Sequence, residues 1–198
     1  MPNREIDTRI DTARLFIGVQ PDAPTQRFLD GLVAQCKALS SSGKRDQTRW
    51  TSHANRHLTL AFLGETAEPM LAPLERGLGQ LAAELPACSG RIVTLSPFPQ
   101  RRSRLLAAEL LTNPGLDRLH EGCRQLMIDL GLKPESAAYR PHFTLGRSRR
   151  GFAGFEPVPL DFTAQLTNIV LYESLMAPGG SQYHPLWEGT LTGPNELE

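Results

Sequence analysis

The sequence predicts an α+β fold of two similar lobes that face each other, and three observations point there. Strand-like and helix-like stretches run in the order strand, helix, strand, helix, two strands, helix, strand, two strands. Several neighbouring strands are joined by loops too short for a helical crossover, which favours antiparallel pairing. A four-residue pattern also occurs twice, as His57-Leu58-Thr59-Leu60 and His142-Phe143-Thr144-Leu145, 85 residues apart. Each copy lies on a strand preceded by a strand-helix unit, which suggests duplicated halves.

The elements follow in order. Ala13 to Val19 is apolar and strand-like. Pro21-Asp22 opens a helix whose apolar residues Phe28, Leu32, Val33, Cys36 and Leu39 keep helical spacing, and Ser40 to Gly43 ends it. Arg49-Trp50 begins a short extended stretch. Arg56 to Leu63 is the strand of the first motif, stopped by Gly64. Glu68 to Leu85 is a helix carrying Leu71, Leu74, Leu78, Leu81 and Leu85. Arg91 to Leu95 and Arg104 to Leu111 are strands, joined by a segment, Ser96 to Ser103, too rich in proline and charge for a core. Asn113-Pro114 starts a third helix, with Leu116, Leu119, Cys123, Leu126, Met127 and Leu130 on one stripe and Gly131 as its C-cap. Arg140 to Arg147 is the strand of the second motif. Arg149 to Pro159, broken by glycine and proline, reads as a loop. Gln165 to Leu175 and Tyr183 to Leu191 read as a closing strand pair, linked through Pro178-Gly179-Gly180.

Composition narrows the function classes. The chain has 198 residues, 40% hydrophobic and 21% charged, ordinary for a soluble globular protein. Residues 1–198 read as a single bilobal domain with 1–12 and 193–198 as loose tails. Formal net charge is zero, so any nucleic-acid binding must use local patches. No apolar run approaches the ~20 residues of a membrane span, and no signal-peptide core opens the chain. Cys36, Cys88 and Cys123 are odd in number and lack metal-site spacing, which suits reduced thiols in a cytoplasmic protein.

The chemistry sits in the repeated pattern. On a strand, His and Thr two apart share one face, and the residues between them anchor the other. Two imidazoles brought together can act as general acid and general base near neutral pH. Two hydroxyls beside them can hydrogen-bond a phosphate oxyanion. One copy alone would more often be a half-buried polar face. No cysteine or carboxylate stands at ligand spacing beside either histidine, so a zinc site is not expected. His53 reads as a solvated loop residue, His120 as a helix-surface residue, and His184 as outside the site. Trp50 and Tyr183 read either as core or as cleft aromatics. Arg149-Arg150 reads as a solvated charge run. Arg101, Arg102 and Arg104, next to Phe98, could meet phosphate groups of a ligand while the ring stacks on an aromatic base, or form a solvated loop.

The paired motifs resemble the two-histidine (2H) phosphoesterases, and within them the RNA 2',3'-cyclic phosphodiesterases, also called 2'-5' RNA ligases. The resemblance covers most of the chain. It includes Arg14-Leu15-Phe16-Ile17, Arg49-Trp50, His57 through Gly64, Phe98-Pro99 with its arginines, Arg140 through Arg147, and Leu171-Tyr172-Glu173-Ser174 with Tyr183. One departure is Arg56, directly before the first motif, where such proteins more often carry an apolar residue.

The resemblance implies lobes that are each an antiparallel sheet with helices outside, and an active cleft between them. It implies hydrolysis of an RNA terminal 2',3'-cyclic phosphate to a 2'-phosphate without metal or cofactor, with slow, reversible 2'-5' ligation. It assigns His57 as proton donor to the leaving 3' oxygen and His142 as base for water. Thr59 and Thr144 hold the non-bridging oxygens, and Arg147, Tyr183, Phe98, Arg101 and Arg102 are candidates for substrate binding. The expected partner is RNA or an oligonucleotide with a cyclic-phosphate end, and the expected state a monomer without membrane contact. Two rival readings are a phosphoesterase for a small cyclic nucleotide or other cyclic phosphate, and a non-catalytic RNA-binding module. A pure binder has no chemical need for the intact acid-base pair.

Overall fold

The structure, a computed structural model, describes residues 11–40, 48–178 and 180–194. Nine strands are present among them: β1 (Thr12–Val19), β2 (Thr48–Trp50), β3 (Leu58–Ala67), β4 (Cys88–Phe98), β5 (Leu105–Leu110), β6 (His142–Ser148), β7 (Val158–Leu166), β8 (Asn168–Ala177) and β9 (Gly180–Thr190). Three α-helices accompany them: α1 (Ala23–Ser40), α2 (Leu71–Glu84) and α3 (Pro114–Asp129). The strands form one antiparallel sheet in the order β7-β4-β5-β6-β3-β1-β8-β9, with β2 added along β6. The halves β9-β8-β1-β3 and β7-β4-β5-β6 mirror each other, and they join through the single pair Leu58–Phe143.

Local chemistry places the helices. The Asp22 carboxylate accepts the Thr25 N–H at 2.9 Å and caps α1. Asn113 accepts the Leu116 N–H at 3.0 Å and caps α3, which opens on Pro114 and ends at Gly131 with φ 75°. Leu29, Leu32, Val33, Cys36, Leu74, Leu78, Leu116, Leu119, Cys123 and Met127 join one core with the buried face of the sheet. The helices reach across the seam: Phe28 of α1 stacks on Phe162 of β7 at 4.2 Å, and α3 packs on β3 as well as β4. The two halves therefore share one core. No described helix is long and apolar enough to cross a membrane.

Some sequence expectations need correction. Gly64 does not stop β3. It takes φ 73° as part of a bulge against β1, and the strand continues to Ala67. The presumed loop up to Pro159 already contains the start of β7, and the expected long strand from Gln165 is broken at Thr167. β7 alternates Val158, Leu160, Phe162, Ala164 and Leu166, but Pro159 and its place at the sheet edge disguise it. Ser96-Pro97-Phe98 belongs to β4, where Pro97 pairs with Leu106. Thr12 lies in β1, and Gly193 donates to Leu85, so neither is part of a loose tail. The remaining tail residues, 1–10 and 195–198, and the expected helix end at 41–43 lie outside the described residues.

Candidate active site

Leu58 and Phe143 are fully buried and face the helices. Their antiparallel pairing brings the neighbours of each onto the opposite, open face. His57 thus lies across from Thr144, and Thr59 across from His142, all four half-buried. The expected cleft is realised as this open face, at the seam between the halves.

Both rings are held in the same way. His57 Nδ1 donates to the Asn55 carbonyl at 2.8 Å, and His142 Nδ1 donates to the Arg140 carbonyl at 2.8 Å. A carbonyl can only accept, so Nδ1 carries the proton and Nε2 is the nitrogen left for substrate. Asn55 is itself fixed: its amide donates to the Ser181 carbonyl at 2.8 Å and accepts from the Tyr183 N–H at 3.1 Å.

The surroundings of the two rings differ. His57 sits in an aromatic box, with Phe16 at 4.6 Å, Tyr183 edge-on at 4.9 Å and Tyr172 at 5.8 Å between ring centroids. Burial lowers its pKa to about 4, helped by the positive charges of His142 and Arg147 and opposed by the bond to Asn55. His142 stacks on Phe98 at 3.9 Å. Burial lowers its pKa too, but the backbone bond to Arg140 and the charge of Glu109 act in the opposite direction. Glu109 is its cross-strand partner, fixed by Ser96 Oγ at 2.6 Å and Arg140 at 2.7 Å. Arg140 also lies over the Phe98 ring at 4.5 Å.

A bulge follows each threonine. Gly18 pairs with Thr59 while Ile17 pairs with Ala61, leaving Leu60 as the extra residue. Ala107 pairs with Thr144 while Leu106 pairs with Gly146, leaving Leu145. A regular strand would carry Arg147 away with Leu145. The bulge instead turns Arg147 to the site face, where its charge lowers the proton affinity of both histidines. The Leu145 carbonyl is taken by the Thr51 N–H at 2.9 Å, and the Leu60 carbonyl by His120 Nδ1 at 2.8 Å.

Known proteins share this arrangement of strands. The family model described as the 2'-5' RNA ligase superfamily matches residues 21–151. The chain belongs to this superfamily. An RNA 2',3'-cyclic phosphodiesterase of Escherichia coli (strain K12) is 32% identical over 140 residues, covering 70% of this chain and 77% of that protein. One of Bacillus subtilis (strain 168) is 35% identical over 108 residues, 54% of this chain, and the match spans 59% of that protein's length. A solved structure from Thermus thermophilus matches the fold with a TM-score of 0.80 at 23% identity, covering 92% of this chain and all of that one.

In this superfamily member the structure gathers His57, Thr59, His142, Thr144, Arg147, Phe98 and Tyr183 around one face. Arg101 and Arg102 stay on the exposed loop after β4, and Arg101 pairs with Glu156 at 3.0 Å. His53 is bound to Asp30 of α1 at 2.7 Å. Arg56 is buried and points to the same Asp30 at 2.8 Å, so the departure before the first motif ties its strand to α1. His120 is not a surface residue. Its ring stacks on Tyr139 at 3.8 Å, and the Tyr139 hydroxyl reaches the Thr59 carbonyl. Trp50 packs against the core, and His184 is exposed on β9. Sequence reasoning missed Glu109, Asn55, Phe16 and Tyr172. Glu109 had a signal, as the one carboxylate in the apolar run Leu105 to Leu110.

Proposed function

We propose that this chain hydrolyses RNA terminal 2',3'-cyclic phosphates to 2'-phosphates, using His57 and His142 as an acid-base pair. The observation that carries the reading is the matched pair of imidazoles, each fixed through Nδ1 and each beside the other motif's threonine. Relatives of the superfamily named RNA 2',3'-cyclic phosphodiesterase support the substrate class.

In the reaction, water attacks phosphorus in line with the 3' oxygen. One imidazole takes the proton of the water. The P–O3' bond breaks, and the other imidazole protonates the leaving oxygen. Thr59 and Thr144 donate to the non-bridging oxygens, where charge builds in the transition state. A 5'-hydroxyl in place of water would give a 2'-5' linkage by the same path.

The resemblance gives His57 the proton. In the free site the aromatic box disfavours that form, whereas Glu109 favours a proton on His142. An anionic phosphate seated between the rings lifts the proton affinity of both, because an opposite charge favours the imidazolium. The active protonation state of His57 is therefore assembled by substrate.

The test is product analysis. An oligonucleotide ending in a 2',3'-cyclic phosphate is incubated with the protein, and the position of the phosphate is read by NMR. A 2'-phosphate supports the reading. A 3'-phosphate would mean that the leaving oxygen is the 2' one, and would reverse the direction of attack.

A further inference from the structure

We propose that an arginine-lined cavity beside His142 is a subsite for the nucleotide upstream of the cyclic end, with Arg104 and Arg149 holding its phosphate. The inference rests on the functional reading above. The cavity measures about 740 Å³, within the range of small-molecule pockets. It is lined by Arg49, Arg104, Arg147 and Arg149 together with Phe98, and no carboxylate is among the described residues that line it.

In a chain of zero net charge, this is a concentrated positive field. Arg91, Arg101, Arg124 and Arg140 each pair with a carboxylate, whereas Arg104, Arg147 and Arg149 form no ion pair with any described carboxylate. The strands hold the like charges together. Arg49 on β2 pairs with Arg147 on β6, which pairs with Leu105 on β5 next to Arg104. Gly180, at φ 113°, leaves room for the Arg49 guanidinium; a Cβ there would collide with its Nη1. Arg104, Arg147 and Arg149 repel one another at this range, and an anion seated among them would relieve that repulsion.

The cavity adjoins the reacting centre. Phe98 lines it and stacks on His142, and Arg147 lines it and acts on both histidines. A 2',3'-cyclic phosphate closes the 3' end of its strand, so the chain can continue only in the 5' direction. The next anion of an RNA substrate is then the upstream phosphodiester. Phe98 and Leu105 supply apolar wall for its base.

The experiment compares a nucleoside 2',3'-cyclic phosphate with a dinucleotide carrying the same end, and with that dinucleotide bearing a neutral methylphosphonate linkage. The dinucleotide should show about tenfold higher kcat/KM or more, and the neutral linkage should abolish most of this advantage. The double variant Arg104→Ala/Arg149→Ala should lose at least about tenfold more on the charged dinucleotide than on the nucleoside. Its salt dependence should flatten by about 0.7 in logarithmic slope for each phosphate-bound arginine removed. Equal losses on both substrates would place these arginines at the cyclic phosphate and overturn the subsite. Hydrolysis of the nucleoside with no dinucleotide advantage in the wild type would overturn the subsite alone. Hydrolysis of neither would overturn the functional reading as well.

Discussion

The hydroxyl of Tyr139 donates to the backbone carbonyl of Thr59 at 3.3 Å, so the segment entering the second motif grips the first. His120, stacked on the same ring, takes the next carbonyl, that of Leu60. These carbonyls lie where β3 has parted from β6 and bulges against β1. A buried carbonyl left without a partner costs about 1–3 kcal/mol, so the clamp both stabilises the bulge and fixes Thr59.

Tyr139→Phe keeps the ring stack and removes only the hydroxyl. We expect kcat to fall about tenfold with little change in KM, since the loss is one of orientation. The effect should shrink in a Thr59→Val background, where there is no hydroxyl left to position. Steady-state kinetics of the four proteins checks this. Full additivity would leave Tyr139 a purely structural residue.

The pH dependence of activity follows from the lowered proton affinities. The profile of kcat/KM should be bell-shaped and centred on the acid side of neutrality, because burial lowers both imidazoles in the free protein. The profile of kcat should lie at higher pH, because bound phosphate favours the imidazolium. Glu109→Gln removes a carboxylate that supports a proton on His142, so the limb set by that residue should move to lower pH.

Stability has its own pH window. Unfolding returns His57 from about 4 to its ordinary 6.5, so the unfolded chain takes up a proton that the folded one refuses. Stability contributed by neutral His57 is full above pH 6.5 and is lost as pH falls towards 4. At about 1.4 kcal/mol per pKa unit, this amounts to roughly 3 kcal/mol. His142 acts with the same sign. His57→Phe suits the aromatic box and should flatten the decline of Tm between pH 7 and 4.5, as read by thermal melts. A wild-type Tm that holds steady across that window would refute the assignment.

The ion pair of Arg56 with Asp30 gives a contrast in stability. Arg56 is 4% exposed and its Nε has no hydrogen-bond partner among the described residues, whereas the Asp30 side chain is 43% exposed. Asp30→Ala strands a buried charge and should cost on the order of 2–3 kcal/mol, softened by the remaining bond to Gln26. Arg56→Met removes the charge and should cost less. Urea titrations of the two variants test the order.

Much of this was legible because it rests on periodicity. The helical stripes and the alternation around His57 and His142 follow from burial on one face, which the sequence records directly. The bulges at Leu60 and Leu145 were not legible, because an extra residue in a strand leaves no pattern of its own. Without the bulge a regular strand would carry Arg147 away with Leu145, so its place at the site rested on the resemblance alone, and β7 was hidden by Pro159. Glu109, Asn55 and His120 reach the site only through pairings between distant strands and helices. Arg101, Arg102 and Arg104 were singled out by adjacency to Phe98; of the three, Arg104 lines the cavity, where the register of β2, β6 and β5 brings it beside Arg49 and Arg147.

The acid-base pair is tested most directly by single-turnover hydrolysis of a cyclic-phosphate RNA with His57→Ala, His142→Ala and the double variant. Each single variant should lose roughly 10²–10⁴-fold in rate, and the double variant should be little worse, because the two rings act as a unit. A rate within about threefold of wild type for either single variant, in a protein that remains folded, would contradict the account.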